Sequence, residues 1–199
     1  YNIADTLIVG RFLGEKALAA VGSSFTLMTF ITSIILGLCM GSSALFSIRF
    51  GQRDENGLKE DICASFSFIT VVTVLLNIIA YASLGGLQIF LRVPDEVWGD
   101  MRKYLFVIFM GIPAVFLYNY FASYLRAIGN SVIPLLFLAV SSVLNIILDL
   151  WFVIGFEKGV EGAAQATVIA QYLSGIGIMI YVIGYFLPET PKLTKETVY

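Results

Sequence analysis

VIPLLFLAVSSVLNIILDLWFVIGF, residues 132–156, decides the fold. The run holds a single charged side chain, Asp149. A spanning helix needs roughly 20 mostly apolar residues, and this run satisfies that length. A membrane barrel needs strands of about ten residues with alternating polarity, and the run is too long and too continuous for that. Backbone groups in hydrocarbon must pair internally, so a helix is expected.

Five more apolar segments flank this one, separated by charge and Gly/Pro clusters. The expected helices cover about 1–12, 17–46, 62–84, 104–125, 132–156 and 159–187. The segment over 17–46 exceeds a perpendicular span, so tilt or extension beyond the bilayer is expected. The fold class is therefore an all-α integral membrane bundle of about six helices in one unit, the first helix truncated. The chain opens on Tyr1 rather than Met, and the first apolar run is short. No signal peptide is visible, so the expectation is a start inside a membrane helix. Residues 188–199 read as a polar connector.

Composition agrees. Of the 199 residues 58% are hydrophobic and 13% charged, against about 45–50% and about 25% in soluble domains. Mean hydropathy is +0.88. The net charge of -2 offers no basic field for nucleic acid. The chain has no histidine, which removes His-based metal sites, His-dependent triads and a histidine pH switch. Cys39 and Cys63 lie in or beside apolar runs and read as small packing residues, not a disulfide. No enzymatic chemistry and no cofactor are expected.

Alternating spans place Arg49, Arg53, Lys59, Arg126, Lys192 and Lys195 on one side. Arg11, Lys16, Arg92, Arg102, Lys103 and Lys158 fall on the other. The tally is even, so charge does not set the orientation. Small residues recur at Gly37, Gly41, Ser42, Ser43, Gly175 and Gly177, where close helix packing is expected. One internal similarity stands out. Asp5 precedes Val9, Gly14 and Ala19-Ala20, and Asp149 precedes Val153, Gly159 and Ala163-Ala164. A helix pair used twice, as in transporters built from repeats, would read this way.

Ionisable residues inside a membrane helix cost about 2.5–3.5 kcal/mol each on insertion scales and need a reason. Asp5 and Asp149 both sit inside apolar runs. Asn145 and Asp149 are one helical turn apart, as are Tyr1 and Asp5, Asn119 and Ser123, and Thr167 and Gln171. Tyr104 points the same way. Such stripes predict one wet cavity whose carboxylate, amide and hydroxyl oxygens suit Na+ or hold H+.

These residues carry a resemblance. Asp5-Thr6-Leu7-Ile8-Val9-Gly10-Arg11-Phe12-Leu13-Gly14, followed by Leu18-Ala19-Ala20-Val21-Gly22, resembles the first helix junction of the multidrug and toxic compound extrusion (MATE) family. Arg126-Ala127-Ile128-Gly129-Asn130 resembles its fourth-to-fifth connector. Asn145-x3-Asp149 and the run from Gly159 to Thr167 resemble its fifth and sixth helices.

The resemblance implies an N-terminal six-helix lobe over residues 1–187. The connector 188–199 would lead toward a missing C-terminal lobe. It implies export of small organic cations or drugs in exchange for H+ or Na+, from a multi-pass position in the bacterial cytoplasmic membrane. It also implies a cytoplasmic N-terminus. By the same resemblance Asp5, Asn145, Asp149 and Thr167 form a cation or proton site with possible Na+ binding. Tyr1, Tyr104 and Asn119 would supply supporting hydrogen bonds. A lipid-linked-sugar flippase of the same superfamily would carry more cationic residues facing its cleft. An intramembrane aspartyl protease needs paired carboxylates sharing a proton, but its Gly-x-Gly-Asp context is absent at Asp149. A purely structural membrane protein is the third alternative.

Overall fold

The computed structural model describes residues 2–186. Every regular element among them is helical. In chain order these are α1 (Asn2–Phe12), α2 (Glu15–Gly51), α3 (Glu55–Phe90), α4 (Asp95–Ile108), α5 (Ile112–Ala127), α6 (Val132–Asp149) and α7 (Gly159–Tyr181). A 3₁₀ turn, Phe109–Gly111, joins α4 to α5, and widened π turns follow α6 and α7. Counting α4 and α5 as one interrupted span, five helices are long and apolar enough to cross a membrane, among the described residues.

The helices outrun the expected bounds. α3 begins at Glu55 rather than near 62, and α4 at Asp95 rather than near 104. Apolarity marks the part of a helix that lies in lipid, while polar first turns continue the same helix into water. α2 has 37 residues, which at the standard rise is about 55 Å. A hydrocarbon core is about 30 Å thick, so α2 tilts or projects.

Local chemistry sets the ends. Asp54 caps α3 by accepting from the Gly57 N–H at 2.9 Å. The Arg49 guanidinium donates to Asp54 at 2.8 Å and to Asp61 at 2.9 Å, which fastens α2 to α3. α2 closes when the Asp54 N–H reaches the Arg49 carbonyl across Arg53, whose φ is +57°. α5 closes the same way over Gly129, at φ +87°. The break between α4 and α5 follows from Pro113, which cannot donate to the Phe109 carbonyl. That carbonyl accepts instead from Asn77 Nδ2 of α3, at 2.7 Å.

Burial is inverted relative to a soluble protein. Val140, Leu135, Ile79 and Phe68 face outward, and lipid is the solvent that accepts them. Only 11% of the apolar window of α3 is buried, which puts this helix on the periphery. The interior holds an aromatic cluster in which Tyr120 meets Phe46, Phe66 and Phe121 edge-on.

Small residues divide into two groups. A Cβ at Gly175 would lie 2.8 Å from the Ala114 carbonyl, and one at Gly177 would lie 2.7 Å from the Phe137 ring. Both glycines therefore permit close packing, as expected. Gly37 and Gly41 do not, because nothing lies within 4 Å of either. Ser43 donates across to the Ser123 carbonyl at 3.2 Å, while Ser42 bonds within its own helix. Cys39 is buried in the interior, whereas Cys63 is exposed and packs nothing there; both are free thiols. The connector expected over 188–199 lies outside the described residues.

Candidate functional site

α1, α4, α6 and α7 bring five polar side chains together. Asp5, Asn145 and Asp149 are fully buried, Thr167 is 1% exposed and Tyr104 3%. Each reaches the centre for a local reason. Asn145 and Asp149 stack one turn apart on the inner face of α6. Thr167 sits on the Ala-rich inner face of α7, where Ala163, Ala164 and Ala170 allow close approach. Tyr104 is on the buried face of α4, beside Leu105 and Met101.

Asp5 is the hub. Its Oδ2 accepts from Thr167 Oγ1 at 2.7 Å and from Tyr104 Oη at 3.3 Å, and its Oδ1 accepts from Asn145 Nδ2 at 3.4 Å. Asn145 Nδ2 also reaches Thr167 Oγ1 at 3.2 Å. Asp149 is buried to the same degree, yet neither of its oxygens has a hydrogen-bond partner, and Asn145 Oδ1 has none either. Asp149 neighbours Asp5. Two carboxylates bond to each other only when one carries a proton. Among the described residues no Lys or Arg side chain pairs with either acid. Burial and mutual repulsion therefore work against two bare charges here.

Chemically, the arrangement presents three acceptor oxygens without donors, on Asp149 and Asn145, beside an acid already held by three donors. Unpartnered buried acceptors are costly, and a cation or a proton relieves that cost. A cavity of about 60 Å³ adjoins the cluster, lined by Tyr104, Thr167, Ile108, Thr32 and Gln171 among others. Thr32 and Gln171 also line a second cavity of about 380 Å³, with Tyr118, Asn119, Ser174 and, at the last turn of α5, Arg126.

Four of the expected site residues, Asp5, Asn145, Asp149 and Thr167, thus meet, and Tyr104 joins them. Asn119 does not: its amide donates to the Val115 carbonyl of its own helix at 2.8 Å, and it lines the larger cavity. Spacing placed it on an inward face but could not show how far along the bundle it lies. Tyr1 lies outside the described residues. Sequence reasoning missed Thr32, the residue shared with Gln171 by the two cavities. Nothing sets Thr32 apart from the many hydroxyl residues of α2. After Asp149 the helix widens into a π turn over Leu150–Gly155, a distortion that often accompanies functional residues.

Comparison with known proteins bears on the family and the fold. The MatE family model matches residues 1–151. The chain is 32% identical over 197 residues to the probable multidrug resistance protein YpnP of Bacillus subtilis, covering 96% of the chain and 44% of YpnP. It is 29% identical to the multidrug export protein MepA of Staphylococcus saprophyticus, covering 100% of the chain and 43% of MepA. It superposes on the bent form of the Vibrio cholerae MATE transporter VcmN with a TM-score of 0.84. That match has 27% identity and covers 92% of the chain and 42% of VcmN. The chain thus spans less than half the length of the relatives it matches. It belongs to the multidrug and toxic compound extrusion (MATE) family, and is a multi-pass protein of the bacterial membrane.

Proposed function

We propose that this chain is the N-terminal, ion-coupling lobe of a secondary antiporter that exports organic cations or drugs in exchange for H+ or Na+. The observation that carries this reading is Asp149: a fully buried carboxylate with both oxygens unpartnered, facing a second buried carboxylate. The residues fit a hard monovalent cation, since carboxylate, amide and hydroxyl oxygens are its natural ligands. They fit a proton equally, since one proton lets Asp149 bond to Asp5. In this reading Asn145 holds Asp5 and turns its own carbonyl oxygen to the entering cation, while Thr167 completes the set. Ion entry neutralises the cavity and moves α1, which carries Asp5 in its first turn. A cationic drug is then less favoured, and by linkage drug binding weakens ion binding to the same extent.

A lobe of this kind holds an ion but needs a second wall to enclose a drug. In this reading the exposed Leu7, Phe25, Phe30 and Met40 of α1 and α2 pack against a C-terminal lobe.

The test is ion-driven drug efflux from proteoliposomes of the full-length, two-lobe protein under separate H+ and Na+ gradients. Asp5→Asn and Asp149→Asn keep the shape and remove the charge, and both are expected to abolish coupled efflux. Parental rates with parental ion dependence in both variants would sink the proposal.

A further inference from the structure

Beside α4 and α7, away from the buried acids, a groove of about 470 Å³ opens at the end of the bundle where α4 starts. Trp98, Arg102 and Lys103 line it on the α4 side, Glu161 on the α7 side, and Phe106 forms part of its floor. The charges of α4 lie between Asp95 and Lys103, and the helix is uncharged from Tyr104 onward. The groove therefore sits where the bundle passes from water into lipid, the depth at which Trp and basic residues anchor membrane helices.

Three observations bear on what it holds. Arg102 and Lys103 are exposed and form no ion pair among the described residues. Two other cations at this end are engaged: Lys16 pairs with Glu96 at 2.8 Å, and Lys158 donates to Gln165 at 2.9 Å and lies 5.1 Å over Phe152. Across the groove stands one carboxylate, Glu161, which accepts a single 3.3 Å hydrogen bond from Gln165. Below the charges runs an apolar track. Phe106 and Met110 continue the line of Arg102, and Ile169 and Leu173 continue the line of Glu161 and Gln165, each at helical spacing. All four apolar side chains are exposed.

We propose that this groove binds a zwitterionic phospholipid with a primary ammonium, phosphatidylethanolamine. Arg102 and Lys103 hold the phosphate, Glu161 accepts from the ammonium, and an acyl chain lies along Phe106, Met110, Ile169 and Leu173. An anionic headgroup such as phosphatidylglycerol would set nothing positive against Glu161. A choline headgroup has no N–H to donate to it. The inference is independent of the ion site.

The test is native mass spectrometry of the intact, delipidated protein offered phosphatidylethanolamine, phosphatidylglycerol and phosphatidylcholine at equal mole fraction. Phosphatidylethanolamine adducts are expected to exceed the other two several-fold. R102Q/K103Q is expected to reduce them about fivefold or more. E161Q is expected to keep phospholipid binding but lose the preference over phosphatidylglycerol. Glycerophosphoethanolamine, which lacks acyl chains, is expected to form no adduct at the same concentration. Equal binding of the three lipids by the parent protein overturns the proposal, as does an unchanged adduct pattern in R102Q/K103Q. Binding of the chain-free compound at the lipid's level overturns the acyl track. If a variant fails to fold, the headgroup competition on the parent protein decides alone.

Discussion

The two Asp-bearing helix junctions, α1 into α2 and α6 into α7, share a local sequence and differ in what surrounds them. Both have a fully buried Asp, a buried Val four residues on, and a glycine in the left-handed region at the turn, Gly14 at φ +88° and Gly159 at φ +62°. Yet Asp5 accepts from three side chains and Asp149 from none. Tyr104, Asn145 and Thr167 come from three other helices, and all aim at α1. Position in the bundle, not local sequence, makes one acid anchored and the other available.

The largest expected effect separates the acids by stability. Asp5→Ala leaves the Thr167 and Tyr104 hydroxyls without their acceptor and Asn145 Nδ2 with Thr167 Oγ1 alone, and is expected to cost about 2–4 kcal/mol. Asp149→Asn removes a buried charge with no partners and adds an amide that can donate to Asp5. It is expected to change stability by less than about 0.5 kcal/mol, or to increase it. Unfolding in detergent checks both, and equal losses would erase the distinction.

Next come the two amides. Asn145→Ala breaks the bridge between Asp5 and Thr167 and is expected to cost about 1–2 kcal/mol. Asn119→Ala loses only a bond within its own helix and is expected to stay within about 0.5 kcal/mol. A matching cost at Asn119 would mean that it belongs to the same network after all.

The glycines test the shared turn. Gly14→Ala places a Cβ at φ +88° and ψ -177°, a backbone region that is nearly glycine's alone, and is expected to cost about 1–3 kcal/mol, whereas Gly159→Ala at φ +62° is expected to cost about 1 kcal/mol; no neighbour lies within 4 Å of either to add a clash. Thermal unfolding of the two variants should give a shift at both positions, the larger at Gly14. A neutral result at one position would break the likeness of the junctions. Among the bonds to Asp5 the smallest loss is expected for Tyr104→Phe, which removes a long 3.3 Å bond and should cost about 0.5 kcal/mol.

Much of the fold was legible because lipid imposes one rule, long apolar helices, and the segments are separated by charge. Helix ends were less legible. The first turns of α3 and α4 are polar, and a hydropathy reading stops where the lipid stops. The break at Phe109–Gly111 had a visible cause in Pro113, but its repair by Asn77 joins residues far apart in the chain. At the site, polar exceptions in apolar runs marked Asp5, Asn145 and Asp149 among several others, and the resemblance to the MATE family singled out these three with Thr167. Their unequal hydrogen bonding was not legible, since it depends on how four helices are rotated. Asn119 misled for the same reason: a face can be read from spacing, but depth cannot.

The most direct measurement is the affinity of the purified full-length, two-lobe protein for a fluorescent organic cation, taken at equilibrium across pH and Na+ concentration. In the parent protein, affinity is expected to fall by about tenfold or more as the coupling ion, H+ or Na+, saturates its site, a coupling of about 1.4 kcal/mol. In Asp149→Asn, affinity is expected to be independent of both, while the protein remains folded. An Asp149→Asn protein that keeps the parental dependence on either ion would contradict the assignment of Asp149 as the carboxylate that exchanges the ion.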